Sequence, residues 1–175
     1  RGAWRVRGTI VRLLLDTHVF LWSVTDNRKL KRAARDFILA ADEVYVSAAS
    51  IWEIAIKAHL GKIEGDPEEL AEAIEPSGFH ELPVTARHGA AVARLPALHA
   101  DPFDRLLVAQ AMSEPLRFLT ADSMLSKYSE LVDLASVGRF PAAPLLSVDG
   151  AEVSVWTRPF VPDRHSVLLQ VRDVG

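Results

Sequence analysis

VRLLLDTHVFLW, residues 11–22, is the stretch on which the fold turns. Residues 11–15 are a short apolar run, which reads as a buried strand, and the run stops at the carboxylate of Asp16. Residues 17–24 follow as a short helix with Val19, Phe20 and Trp22 apolar. Asp26 and Asn27 mark a turn and an N-cap, and Leu30, Ala34, Phe37, Ile38 and Ala41 then recur at helical spacing over 30–41. The unit is strand, carboxylate, helix, helix.

The pattern continues outward. VYVS at 44–47 is a second strand, and Ile51, Ile54, Ala55 and Ala58 predict an amphipathic helix ending near Leu60 and Gly61. Asp66-Pro67-Glu68-Glu69 is a helix start, with a cap, Pro at N1 and an acid at N3; that helix is expected to run to about Glu75. Residues 79–82 form a weak strand, Thr85 caps a helix over 86–95, and Asp101-Pro102-Phe103-Asp104 starts another that reaches about Met112. RFLT at 117–120 is a strand, 123–128 a short helix and 131–134 a last strand. Alternation of this kind predicts an α/β fold: a three-layer α/β/α sandwich around a mostly parallel sheet.

Three stretches differ in charge. Residues 1–12 hold four Arg and no acid, 13–135 hold 12 basic and 19 acidic residues, and 136–175 hold four of each. An acidic body is not that of a general nucleic-acid binder, so a polyanionic partner would need bound cations or a local basic patch. The cluster Arg28, Lys29, Lys31, Arg32 and Arg35 is the candidate patch for RNA, a solvated helix face being the plain alternative. The chain has no Cys, which excludes disulfides, thiolate metal sites and Cys nucleophiles. No apolar run approaches the ~18 residues of a spanning helix, so neither a membrane nor a signal peptide is expected, and a cytoplasmic location fits. Residues 1–10 are expected to lie outside the domain and 11–135 to form it; 136–175 is a tail of unassigned structure, which reads either as a β-hairpin over 145–155 turning at Asp149-Gly150 with a further strand over 166–172, or as a segment with no packed structure.

Sheets of this class bind ligands beyond the carboxyl ends of their strands. Asp16 directly follows the first strand, Asp122 lies two residues past the strand at 117–120, Glu53 is early in the helix after the second strand, and Asp104 is in the first turn of its helix. All four can face one crevice. Ionised carboxylates repel when gathered, and a hard divalent cation, Mg²⁺ or Mn²⁺, reverses that cost. Taken singly, Glu53 could be a solvated helix acid, Asp104 a dipole partner, and Asp122 and Asp101 caps. Asp16, ending an apolar strand, is the hardest to explain by packing. The histidines read as structural: His18 as a surface neighbour of Asp16, His99 as a residue preceding a helix start, and His59, His80, His88 and His165 with no zinc spacing.

LLLDTHVFLW (13–22), VSAASIWEIAIK (46–57), HADPFDRLLVAQA (99–111) and FLTADSML (118–125) together resemble the PIN domain, and more closely the VapC-type ribonuclease toxins of bacterial type II toxin–antitoxin modules. The resemblance spans about residues 11–135. It implies a Mg²⁺- or Mn²⁺-dependent ribonuclease with Asp16, Glu53, Asp104 and Asp122 as the catalytic and metal-binding acids. Asp101, Thr120 and Ser50 would support them, and the partners would be an RNA substrate, a cognate antitoxin and a second copy in a homodimer. Apolar Phe20, Trp22 and Phe37 could offer surface for such a protein partner, although each alone reads as core. Two alternatives stand beside this. One is a Mg²⁺-dependent phosphatase with Asp16 as nucleophile, but the acid that chemistry wants two residues on is His18. The other is a catalytically silent PIN-like binding module, which would be expected to have lost metal acids.

Overall fold

A computed structural model describes residues 10–136 and, beyond them, 147–148, 151–152 and 172–173. The central sheet has five parallel strands in the order β4-β2-β1-β5-β6: β1 (Arg12–Leu15), β2 (Glu43–Ser47), β4 (His80–Leu82), β5 (Arg117–Thr120) and β6 (Val132–Leu134). β1 pairs with β2 through Leu13↔Val44 and Leu15↔Val46, and with β5 through Leu13↔Arg117 and Leu15↔Leu119. Its three leucines divide between two cores because successive strand residues face opposite sides. Leu13 and Leu15 pack with Val19, Phe20, Phe37, Ile54 and Leu70. Leu14 packs with Leu107, Val108, Leu116, Phe118 and Leu125.

The first face is covered by α1 (Thr17–Val24), α2 (Arg32–Ala40), α3 (Ala48–His59) and α4 (Pro67–Glu72), the second by α5 (Ala86–Val92) and α6 (Pro102–Ser113). This is the expected three-layer sandwich. Phe20 and Phe37 are buried in the core and offer no partner surface, and Trp22, partly buried, packs against the same cluster. α5 stops at Val92 rather than 95, and the expected helix at 123–128 is a 3₁₀ turn over Leu125–Lys127. A short strand that the sequence pattern did not suggest, β3 (Ile63–Glu64), pairs antiparallel with β9 (Arg172–Asp173). β7 (Ser147–Val148) pairs antiparallel with β8 (Ala151–Glu152); the turn between them and most of the strand expected over 166–172 lie outside the described residues, as do residues 1–9. No helix among the described residues is long and apolar enough to cross a membrane.

The chain runs outward from β1 to β2 and β4, then returns to the other side of β1 for β5 and β6. The reversal occurs at β1, which opens a crevice beyond the carboxyl ends of β1, β2 and β5. Asp16, Ser47 and Thr120 stand at or just past those three ends.

Candidate active site

Asp16 leaves β1 with its backbone N–H bonded to the Leu119 carbonyl at 2.9 Å, so the sheet itself fixes the carboxylate. It precedes α1 but makes no side-chain capping bond. Instead, only 4% exposed, its Oδ2 accepts from Thr120 Oγ1 at 2.7 Å. Burial pushes the Asp16 carboxyl above its ordinary range, the Thr120 hydrogen bond and His18 oppose the shift, and the charge of Glu53 adds to it. Thr120 Oγ1 also accepts from the Asp122 N–H at 3.0 Å, so one hydroxyl ties two of the expected acids.

Glu53 is buried, not solvated. Its Oε2 lies 2.6 Å from Thr17 Oγ1 and its Oε1 2.6 Å from Lys57 Nζ, one turn further along α3. Ser50 Oγ is 3.0 Å from Thr17 Oγ1. A threonine hydroxyl has one proton; with that proton on the carboxylate, Ser50 donates to Thr17. Ser50 therefore supports Glu53 at one remove. Thr17 and Lys57 were missed by sequence reasoning. Lys57 had a signal, the i,i+4 spacing from Glu53; Thr17 read only as a helix start.

Asp104 sits in the first turn of α6, and its carboxyl is pushed up to about 7. Burial is the largest cause, followed by the negative charges of Asp16, Asp101 and Glu53. The fold has thus gathered acids closely enough around Asp104 to oppose its ionisation. Asp101 caps α6, its Oδ1 accepting from the N–H groups of Phe103 at 2.8 Å and Asp104 at 3.3 Å. Half-buried Asp122 accepts at Oδ1 from the Met124 N–H at 2.8 Å, and its Oδ2 lies 3.0 Å from His99 Nε2.

His99 is where the structure departs from a purely structural reading of the histidines. Its ring stands between Asp122 and Asp104, with Nδ1 3.5 Å from Asp104 Oδ2. Potential ligand atoms of His99, Asp104 and Asp122 all lie within 4.8 Å of one another. Asp16 and Glu53 form the buried floor of the site and these three its half-buried rim. The donor set fits a divalent cation, because burial and the negative charges of Asp16, Asp101 and Glu53 oppose ionisation of Asp104 in the metal-free chain and the oxygens are hard.

The basic cluster is divided. Arg28, Lys29, Lys31 and Arg32 are exposed. Arg35 is turned back into its own turn, donating to the carbonyls of Asn27 at 2.7 Å and Leu30 at 3.1 Å and pairing with the Asp26 carboxylate.

The PIN domain family model matches residues 13–131, and the chain belongs to that family. Within it, the chain is similar to the VapC-type members: Ribonuclease VapC22 of Mycobacterium tuberculosis is 32% identical over 123 residues, covering 66% of this chain and 91% of that protein. The fold is shared with solved structures of low identity. VapBC2 from Rickettsia felis bound to a promoter DNA fragment aligns with a TM-score of 0.53 and 13% identity, over 71% of this chain and 97% of that one. FitAB bound to the IR36 DNA fragment aligns at 0.52 and 17%, over 74% and 98%. DNA-bound VapBC from Salmonella typhimurium aligns at 0.53 and 16%, over 71% and 98%.

Proposed function

We propose that this protein is a Mg²⁺- or Mn²⁺-dependent ribonuclease that hydrolyses RNA phosphodiester bonds as the toxin of a type II toxin–antitoxin pair. The observation that carries the reading is the gathering of Asp16, Glu53, Asp104 and Asp122 at the strand-order reversal, where burial and then the charges of neighbouring acids raise the Asp104 carboxyl to about 7. Asp16, Asp104 and Asp122 would hold the ion, with Glu53 completing the set. A bound divalent ion supplies a water of lowered pKa and positive charge facing the phosphodiester. The chain supplies orientation: Thr120 fixes Asp16, and Thr17 with Lys57 fixes both oxygens of Glu53.

A cytoplasmic location with RNA as substrate follows from the same reading, as does a cognate antitoxin, given the VapBC complexes that share the fold. A homodimer is supported by α3 and its C-cap, where Trp52 and Ile56 of the helix and the capping Leu60 recur at four-residue spacing and are exposed, Trp52 by 60%. The test is cleavage of mixed single-stranded and structured RNA with Mg²⁺ or Mn²⁺. The wild type should cleave and stop on chelation, and Asp16→Asn should lose roughly a hundredfold or more in rate. Undiminished cleavage by Asp16→Asn would overturn the assignment. For the toxin role, expression should arrest growth only with Asp16 intact, and co-expression of a cognate antitoxin should relieve the arrest.

A further inference from the structure

His99 is held at its backbone and at both ring nitrogens and has no part in the function above. The backbone N–H of Asp101 lies 3.2 Å from His99 Nδ1. An amide can only donate, so Nδ1 carries the lone pair and the ring proton of a neutral imidazole sits on Nε2. Nε2 is 3.0 Å from Asp122 Oδ2 and therefore donates to it. The 3.5 Å approach of Nδ1 to Asp104 Oδ2 places a lone pair against a carboxylate, so it confers no bond while Asp104 is ionised. Asp122 is thereby fixed at both oxygens, by Met124 N–H on Oδ1 and His99 on Oδ2, and each oxygen keeps a second lone pair for another partner.

The backbone of His99 is held as well. Its N–H donates to Tyr128 Oη at 2.9 Å. Arg105 Nη1 donates to that same hydroxyl oxygen at 3.1 Å and to the Pro96 carbonyl at 2.8 Å. Arg105 Nη2 reaches the carbonyls of Val92 at 3.3 Å and Leu95 at 3.4 Å. The guanidinium fork thus gathers the end of α5, the loop that follows and Tyr128 around one residue.

We propose that His99 is a positioning residue that aims the Asp122 carboxylate at the metal position through an Nε2–H bond, its tautomer set by the Asp101 amide and its backbone clamped by Arg105 and Tyr128. This rests on the metal-dependent reading above and adds to its acids a neutral histidine that orients one of them without ligating the ion. Partners of this kind commonly carry about ten- to a hundredfold in metal affinity.

The test uses the full-length protein with Mn²⁺ alone, then with RNA. His99→Leu should weaken Mn²⁺ binding by calorimetry about tenfold or more and lower kcat for RNA with little change in KM. His99→Gln, whose amide nitrogen also donates, should recover most of both. Pulsed electron paramagnetic resonance of bound Mn²⁺ should show no directly coordinated nitrogen. A nitrogen coupling of direct ligation would make His99 a ligand and overturn the proposal. So would wild-type Mn²⁺ affinity in His99→Leu, equal damage in the Leu and Gln variants, or a wild type that binds no Mn²⁺. If His99→Leu does not fold, Tyr128→Phe reads the same clamp, and unchanged Mn²⁺ affinity there would count against it. Mn²⁺ binding that depends on His99 without RNA cleavage would sink the ribonuclease reading alone; RNA cleavage indifferent to His99 would sink this one alone.

Discussion

Asp104 is the residue at which the electrostatic cost of the site is concentrated. Its carboxyl is raised from 3.8 to about 7, so the folded chain holds that proton to higher pH than the unfolded chain does. The unfolded state then loses its proton first as pH climbs, and metal-free stability falls between about pH 4 and 7, with the full loss present above 7. Asp16 shifts in the same direction and reinforces the trend. Asp104→Asn should raise the metal-free unfolding free energy at pH 7.5 by about 1–2 kcal/mol, discounted for solvent screening, and leave it unchanged at pH 4. Urea melts at the two pH values check this. Mn²⁺ affinity of the wild type should weaken as pH falls below about 7, because ion and proton compete for the same carboxyl. At this scale, the four acids were candidates from the sequence because Asp16 interrupts an apolar pattern and the others lie near strand ends or early in helices. His99 was not: its partner Asp122 is 23 residues away in sequence, and only the path of the loop brings their side chains together.

The elements were legible where period and punctuation agree. α1 and β5 match their sequence-predicted bounds, and β1, β2 and α6 fall within a residue or two of theirs or of their start signals. The start signatures at Asp66 and Asp101 both act as caps, since each carboxylate accepts a backbone N–H of the helix it precedes. Asp101→Ala should cost about 1 kcal/mol, seen as a lower Tm, while Mn²⁺ binding persists because the Asp101 amide that faces His99 remains. Helix ends were less legible. α5 ends early because Arg105 draws the carbonyls of Val92 and Leu95 toward itself and Pro96 follows. α4 ends at Glu72 rather than 75, and the chain then passes through turns to Gly78 at φ +80°. Neither ending is local enough in cause to leave a periodic trace.

Taken whole, the molecule is acidic where a polyanion would have to arrive, with 12 basic against 19 acidic residues over 13–135. Exposed Arg28, Lys29, Lys31 and Arg32 are the counterweight, Arg35 being committed to its own turn. Charge reversal of Arg28 and Arg32 should weaken RNA binding and make the dependence of log K on log salt shallower by roughly 0.7 for each single-strand phosphate no longer neutralised. Fluorescence titration at several salt concentrations reads both; no change in either would take this patch out of the RNA path. Reversal of Arg35 instead should lower Tm, since its guanidinium closes the turn between α1 and α2.

Layer architecture and the five strands of the central sheet were within reach of the sequence, because burial imposes periods of two and 3.6 residues that can be counted along the chain; the same pattern made the acids that interrupt it candidates. The order of the strands around β1, the burial of Glu53 between Thr17 and Lys57, and the seating of His99 against Asp122 were decided only by tertiary structure. Those depend on which distant segments meet, and a meeting across space leaves no period along a chain.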